Sequence, residues 1–159
     1  MAGAFQGPRS WQENMPSTDR IGCTYLTCFR SEFCVLATVL HYSGIRMHRA
    51  ETVEEADFLL TVTGSTVLLS DVTFPDGSWR DCLAMAADVH PVVAALLVAD
   101  PVDAPFLRDA YSRGSCGVLW KPIDFTESIH LIRTAHDAVR DRASLLRDGS
   151  GIARTRTCA

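Results

Sequence analysis

Apolar positions along the chain change period several times, and each change marks an element. "IGCTYLTCF", Ile21 to Phe29, is a nearly continuous apolar run of strand length. Phe33, Leu36, Ala37 and Leu40 then recur at i, i+3, i+4 and i+7, the stripe of a helix closed by Gly44. "IRMHRA" predicts a second strand. Thr52 and Glu55 stand at capping-box spacing before a helix carrying Val53, Ala56 and Leu60. "TVLLSDV" predicts a buried strand, "TFPDGS" a turn, and Trp79, Cys82, Leu83 and Ala86 a third helical stripe. "PVVAALLVAD" is the most hydrophobic strand and is placed at the centre of a sheet. A helix is expected from Asp103 and Pro105 to Gly114, "CGVLW" gives a fifth strand, and Asp124 with Glu127 caps a last helix. That helix carries Ile129, Ile132, His136, Val139, Ala143 and Leu146 at alternating spacings of three and four, and runs through Arg147.

Strands alternating with helices predict an α/β fold: a doubly wound five-stranded parallel sheet with helices on both faces. In such sheets the functional crevice lies at the carboxyl ends of the strands. Thr27 to Ser31, Asp71 to Phe74, Val98 to Asp100 and Trp120 to Pro122 therefore share one edge, which brings Asp71 and Lys121 together. Residues 1–20 are polar and without periodicity, and read as a flexible lead-in. Residues 21–147 form the domain, and 148–159 a loose tail.

Composition narrows the function. The chain has 159 residues, 47% of them hydrophobic and 21% charged, with a formal net charge of −4. This is one domain of a globular protein, and the charge selects neither nucleic acid nor membrane as partner. No apolar run approaches the length of a membrane span and the N-terminus lacks a secretory pattern, so a cytoplasmic location is expected. The six cysteines include no CxxC pair and are expected as buried thiols rather than disulfides or metal ligands. The histidines show no ligand spacing and are expected to be surface or packed residues.

Lys121 is the only lysine among fifteen basic residues. A lysine is a compact point charge on a slim stem, where arginine is a wide planar fork, so this position suits a narrow pocket.

"LLSDVTFP", with its aspartate and a proline four residues on, the (βα)5 order, and "KP" after the fifth strand together resemble the response-regulator receiver domain of bacterial two-component signalling, over roughly Ile21 to Arg142. The resemblance implies a flavodoxin-like receiver fold with strand order 2-1-3-4-5. It implies Asp71 as phospho-acceptor, Lys121 as the phosphoryl-contacting residue within salt-bridge reach of Asp71, and a cis Lys121–Pro122 bond. Several positions depart from the family. Where it places an acidic pair for Mg²⁺, this chain reads Thr27, Cys28, Phe29, Arg30, with no carboxylate before Glu32. Mg²⁺ is therefore expected to bind weakly or not at all, since it needs several hard oxygen ligands. The switch positions, a hydroxyl and an aromatic in the family, are Val98 and Val118. Arg30 is either a second pocket cation or a solvated residue.

The resemblance implies a stand-alone atypical response regulator, not an enzyme. It would receive a signal at Asp71 from a sensor histidine kinase or phosphotransfer protein and dock to a downstream protein target, with a homodimer through the last helix. The alternatives are a pseudo-receiver adaptor that signals without phosphorylation and a small flavodoxin-like cofactor binder. The second lacks a Gly-rich phosphate loop after its first strand. A transcription factor would need a second, DNA-binding domain.

Overall fold

The computed structural model describes residues 20–148. In chain order they form β1 (Ile21–Leu26), α1 (Arg30–His41), β2 (Ile45–Ala50), α2 (Val53–Thr63), β3 (Val67–Asp71), a short hairpin of β4 (Thr73–Phe74) and β5 (Gly77–Ser78), α3 (Trp79–Val89), β6 (Ala94–Ala99), a 3₁₀ turn (Pro101–Phe106), α4 (Leu107–Ser112), β7 (Ser115–Trp120) and α5 (Phe125–Asp148). The lead-in and most of the tail inferred from sequence lie outside the described residues.

The main sheet is parallel with order β2-β1-β3-β6-β7, which is the expected 2-1-3-4-5 once the hairpin is left out of the count. The order reverses between β1 and β3, so the switch point, where loops part and leave a crevice, falls at the carboxyl end of β3. Asp71 is the last residue of that strand.

Alternation along each strand divides the core into two layers. Tyr25, Leu69, Leu96, Val98 and Leu119 pack with Leu36 and Leu40 of α1 and Ile132 and Val139 of α5. On the opposite face Leu26, Leu68, Leu97 and Val118 pack with Leu60 of α2, Trp79 and Leu83 of α3, and Ala110 of α4. Trp79 is almost fully buried and stacks on Phe106 with ring centroids 5.6 Å apart, which ties α3 to the 3₁₀ turn.

Local signals set the helix ends. The Thr52 hydroxyl accepts from the Glu55 N–H at 3.1 Å, and α2 closes on Gly64 with φ of 67°, a conformation in which a Cβ is disfavoured. Ser78 and Asp81 form a capping box that fixes the start of α3, and Asp124 accepts from the Glu127 N–H at 2.8 Å ahead of α5.

Three expectations need correction. The segment after β6 is a 3₁₀ turn followed by a six-residue helix, because two prolines, Pro101 and Pro105, remove backbone donors from what would be a longer α-helix. Among the described residues only Cys23 and Cys82 are buried; Cys28, Cys34 and Cys116 are exposed, lying in a loop, on the solvent side of α1 and on an edge strand. The α5 stripe is a core face through Val139, with Ile132 and Val139 packed in the domain's own interior, and it cannot serve there as a docking surface. Apolar side chains of α5 become exposed beyond it, at Leu145 and Leu146.

Candidate functional site: a capped aspartate at the switch point

The parallel register of β1 against β3 pairs Leu26 with Ser70, so the next residue, Thr27, stands beside Asp71. Tyr25 lies two residues earlier and on the same face. Both hydroxyls donate to the carboxylate, Tyr25 to Oδ1 at 2.7 Å and Thr27 to Oδ2 at 2.5 Å. The Thr27 oxygen also accepts the Phe29 N–H at 3.1 Å, which holds its rotamer. Asp71 is 3% exposed.

Burial is the dominant influence on this carboxyl and pushes its pKa above the usual carboxylate range. The hydrogen bonds from Thr27 and Tyr25 and the charge of Lys121 pull it back, and the charge of Glu32 adds to the rise. The Tyr25 hydroxyl is pushed up as well, by its own burial first and then by the adjacent Asp71, so it remains a donor.

Lys121 reaches the mouth of the same site across the cis Lys121–Pro122 bond, as expected. Its ammonium, however, does not form the expected salt bridge with Asp71. It pairs with Glu32 Oε2 at 3.5 Å and lies 4.8 Å from the centroid of the Phe29 ring. The physical reason is that both Asp71 oxygens already hold short hydrogen bonds within the sheet, whereas Glu32, in the first turn of α1 and half-buried, has no other hydrogen-bond or ion-pair partner among the described residues. Lys121 thus influences Asp71 through its charge without a direct contact.

The remaining sites of interest fall as follows. Arg30 is exposed at the first position of α1 and makes no ion pair among the described residues, so the structure does not bring a second cation to Asp71. Val98 pairs with Asp71 in the β3–β6 register, and Val98 and Val118 are both buried in apolar layers. Neither can hydrogen-bond a group placed at Asp71. His90 and His136 are packed residues, His90 Nε2 lying 2.6 Å from Asp57 and His136 Nδ1 2.6 Å from the Thr66 hydroxyl.

The residues do not fit a magnesium ion. Asp71 is buried and accepts a hydroxyl on each oxygen, the second carboxylate is paired to an ammonium, and no group of three or more acidic, histidine or cysteine side chains suited to a metal occurs among the described residues. The ammonium of Lys121 pairs with Glu32 and lowers the pKa of Asp71 through its charge.

Tyr25 is the site residue that reading by element type misses; that reading places Thr27 and Glu32 near this edge, but not their pairing with Asp71 and Lys121. Their signals were local but weak: two hydroxyls at i and i+2 near the end of a strand, and an acid in the first turn of the following helix.

No protein-family model and no curated protein matches the chain. Solved structures do. The chain is similar to the signal receiver domain of an HD domain-containing protein from Pseudomonas fluorescens, with a TM-score of 0.72 and 19% identity over 79% of this chain and 93% of that one. It is similar to a response regulator receiver domain protein from Clostridium thermocellum, with a TM-score of 0.69 and 19% identity over 79% and 98% of the two chains. A CheY-like response regulator receiver domain protein from Methanospirillum hungatei gives 0.67 and 16%, over 77% and 98%. The chain has the receiver fold. Among the described residues no helix is long and apolar enough to cross a membrane.

Proposed function

We propose that this chain is a phosphorylation-independent signalling module that acts in the cytoplasm by docking to other proteins through its receiver fold. The observation that carries this reading is the capped Asp71. Attack on phosphorus needs a carboxylate oxygen with a free lone pair at the surface and cationic charge to neutralise the moving phosphoryl group. Here the carboxylate is buried away from the surface, a hydroxyl donating to each oxygen draws on the electron density that would attack, and the nearby ammonium is held by Glu32. The upstream partner suggested by the fold, a histidine kinase or phosphotransfer protein, would be bound rather than used as a donor, and a downstream protein target would read the same folded surface.

The phosphorelay reading keeps one observation in its favour, the charge of Lys121 acting on Asp71. The test separates the two. With labelled acetyl phosphate or a phosphohistidine donor and excess Mg²⁺, incorporation into the parent should not exceed that into an Asp71→Asn control. Stoichiometric labelling that vanishes in the control would overturn the reading. Beryllofluoride should likewise change affinity for any partner by less than about tenfold, roughly 1.4 kcal/mol.

Magnesium supplies a second check. Calorimetric titration should show no saturable binding below about 10 mM, given the missing ligands. Lys121→Ala removes the built-in cation and leaves Glu32 and Asp71 unbalanced, so it should strengthen Mg²⁺ binding at least about tenfold. An unchanged affinity in Lys121→Ala would show that this ammonium does not stand in for a metal.

A further inference from the structure

Helix α5 is too long for the sheet it covers. Its 24 residues span about 36 Å at the usual rise, whereas a strand of six residues covers about 20 Å. It runs antiparallel to the strands, so its last turns overhang the amino edge of the sheet, at the pole opposite Asp71. Beneath the overhang, the loops before β3 and β6 form the far wall of a groove of about 510 Å³. Leu60, Val93, Val139 and Ala143 give it an apolar floor, and Arg140 and Arg147 stand on its rim. Neither arginine forms a salt bridge among the described residues. The apolar side chains at this pole are uncovered: Val92 is 40% exposed, Leu146 56% and Leu145 69%.

The charges around the overhang indicate what covers it. On a helix surface the neighbours of Ser144 are the residues three and four positions away, which here are Arg140, Asp141, Arg147 and Asp148. All five are exposed. A two-fold axis through Ser144 that sets two such helices antiparallel brings Arg140 opposite Asp148 of the second copy and Asp141 opposite its Arg147, and both pairs repeat by symmetry. Parallel helices in register would instead oppose like charges. The small Ser144 at the axis lets the helices approach closely. A patch that is complementary to itself under a two-fold rotation is what an isologous dimer requires.

We infer that the α5 overhang is a self-association surface whose occupant is a second copy of this chain, docked antiparallel about Ser144 and covering the groove and the exposed Val92, with Leu145 at the flank of the contact. Exposed ion pairs contribute little affinity, so the charges choose the orientation while the apolar groups supply the attraction. The contact is small, and a reversible dimer of micromolar or weaker affinity is the expectation. It does not depend on the state of Asp71.

Sedimentation velocity on the full chain, over about 5 to 500 µM, tests it, in the range where small interfaces dissociate. The parent should pass from monomer to dimer. An Arg140→Glu, Arg147→Glu variant and an Asp141→Lys, Asp148→Lys variant should each associate at least about tenfold more weakly, whereas their equimolar mixture should recover the dimer. Leu145→Asp should weaken the dimer by a similar factor. All these positions are exposed, and unchanged circular dichroism and Tm would establish that the variants fold. A parent that stays monomeric throughout, charge variants that dimerise as the parent does, or a mixture that fails to recover would each overturn the inference.

Discussion

Replacing Asp71 by alanine should destabilise the protein by about 2–4 kcal/mol, whereas asparagine at the same position should leave it at least as stable as the parent near neutral pH. Alanine strips the acceptor from two buried hydroxyls, those of Tyr25 and Thr27, and each buried polar group left without a partner costs about 1–3 kcal/mol. Asparagine keeps the shape. Its amide oxygen accepts from one hydroxyl and its amide nitrogen donates to the other, and it carries no charge to desolvate. An aspartate retained for chemistry against the interest of the fold would behave differently, because its removal by alanine would be neutral or stabilising.

The same site predicts a pH dependence. The Asp71 pKa is raised in the folded protein, so between the ordinary carboxylate value and the folded one the native state holds more proton than the unfolded chain. The contribution of Asp71 to stability therefore falls as pH rises through that window, and the penalty for its charge is relieved on acidification. The advantage of Asp71→Asn over the parent should be greatest near about pH 7 and should shrink toward about pH 4, the ordinary carboxylate value. Urea melts of parent, Asn and Ala variants at both values measure it. An alanine variant as stable as the parent would refute the structural role assigned to the capped carboxylate, and an asparagine advantage that grows on acidification would mean the pKa is depressed.

Much of this architecture could be read from residue order because strands and helices each left a local period. Asp71 and Lys121 could be placed on one edge without coordinates, since a doubly wound sheet puts every strand end there. What could not be read depended on distant register and on competition between partners. Tyr25 and Thr27 belong to a run whose apolar character identifies it as a strand. That their hydroxyls meet Asp71 follows from the pairing of Leu26 with Ser70, more than forty residues apart in sequence. The direction of Lys121 was decided by which carboxylate was still unpaired, and Glu32 was the one. The α5 stripe was visible as a stripe. Where it leaves the core and enters solvent depends on how far the helix outruns the sheet, a length set by elements elsewhere in the chain.

Removing the cap and introducing acids at the end of β1 should raise phosphorylation of Asp71 far above that of the parent. In the variant Tyr25→Phe, Thr27→Asp, Cys28→Asp, both hydroxyl donors leave Asp71 and two carboxylates enter at the end of β1, one of them next to Asp71 in the sheet register. Three close carboxylates repel one another, so without a metal this variant should be less stable than the parent. Mg²⁺ would relieve that repulsion with the hard oxygen ligands it prefers. Stability should then rise with Mg²⁺ by about 2.7 kcal/mol at a hundred times the dissociation constant, while the parent shows no such dependence. Labelling by acetyl phosphate should increase at least about a hundredfold over the parent, because a free oxygen and a metal together supply the positioning and charge that phosphoryl transfer needs. Val98 and Val118 remain in this variant, so the phosphorylated form should bind partners no differently from the unphosphorylated one. A variant that gains Mg²⁺ affinity yet takes no label would place the block to phosphorylation outside the cap, with the Lys121–Glu32 pair or the absent hydroxyl at Val98 as the remaining obstacles.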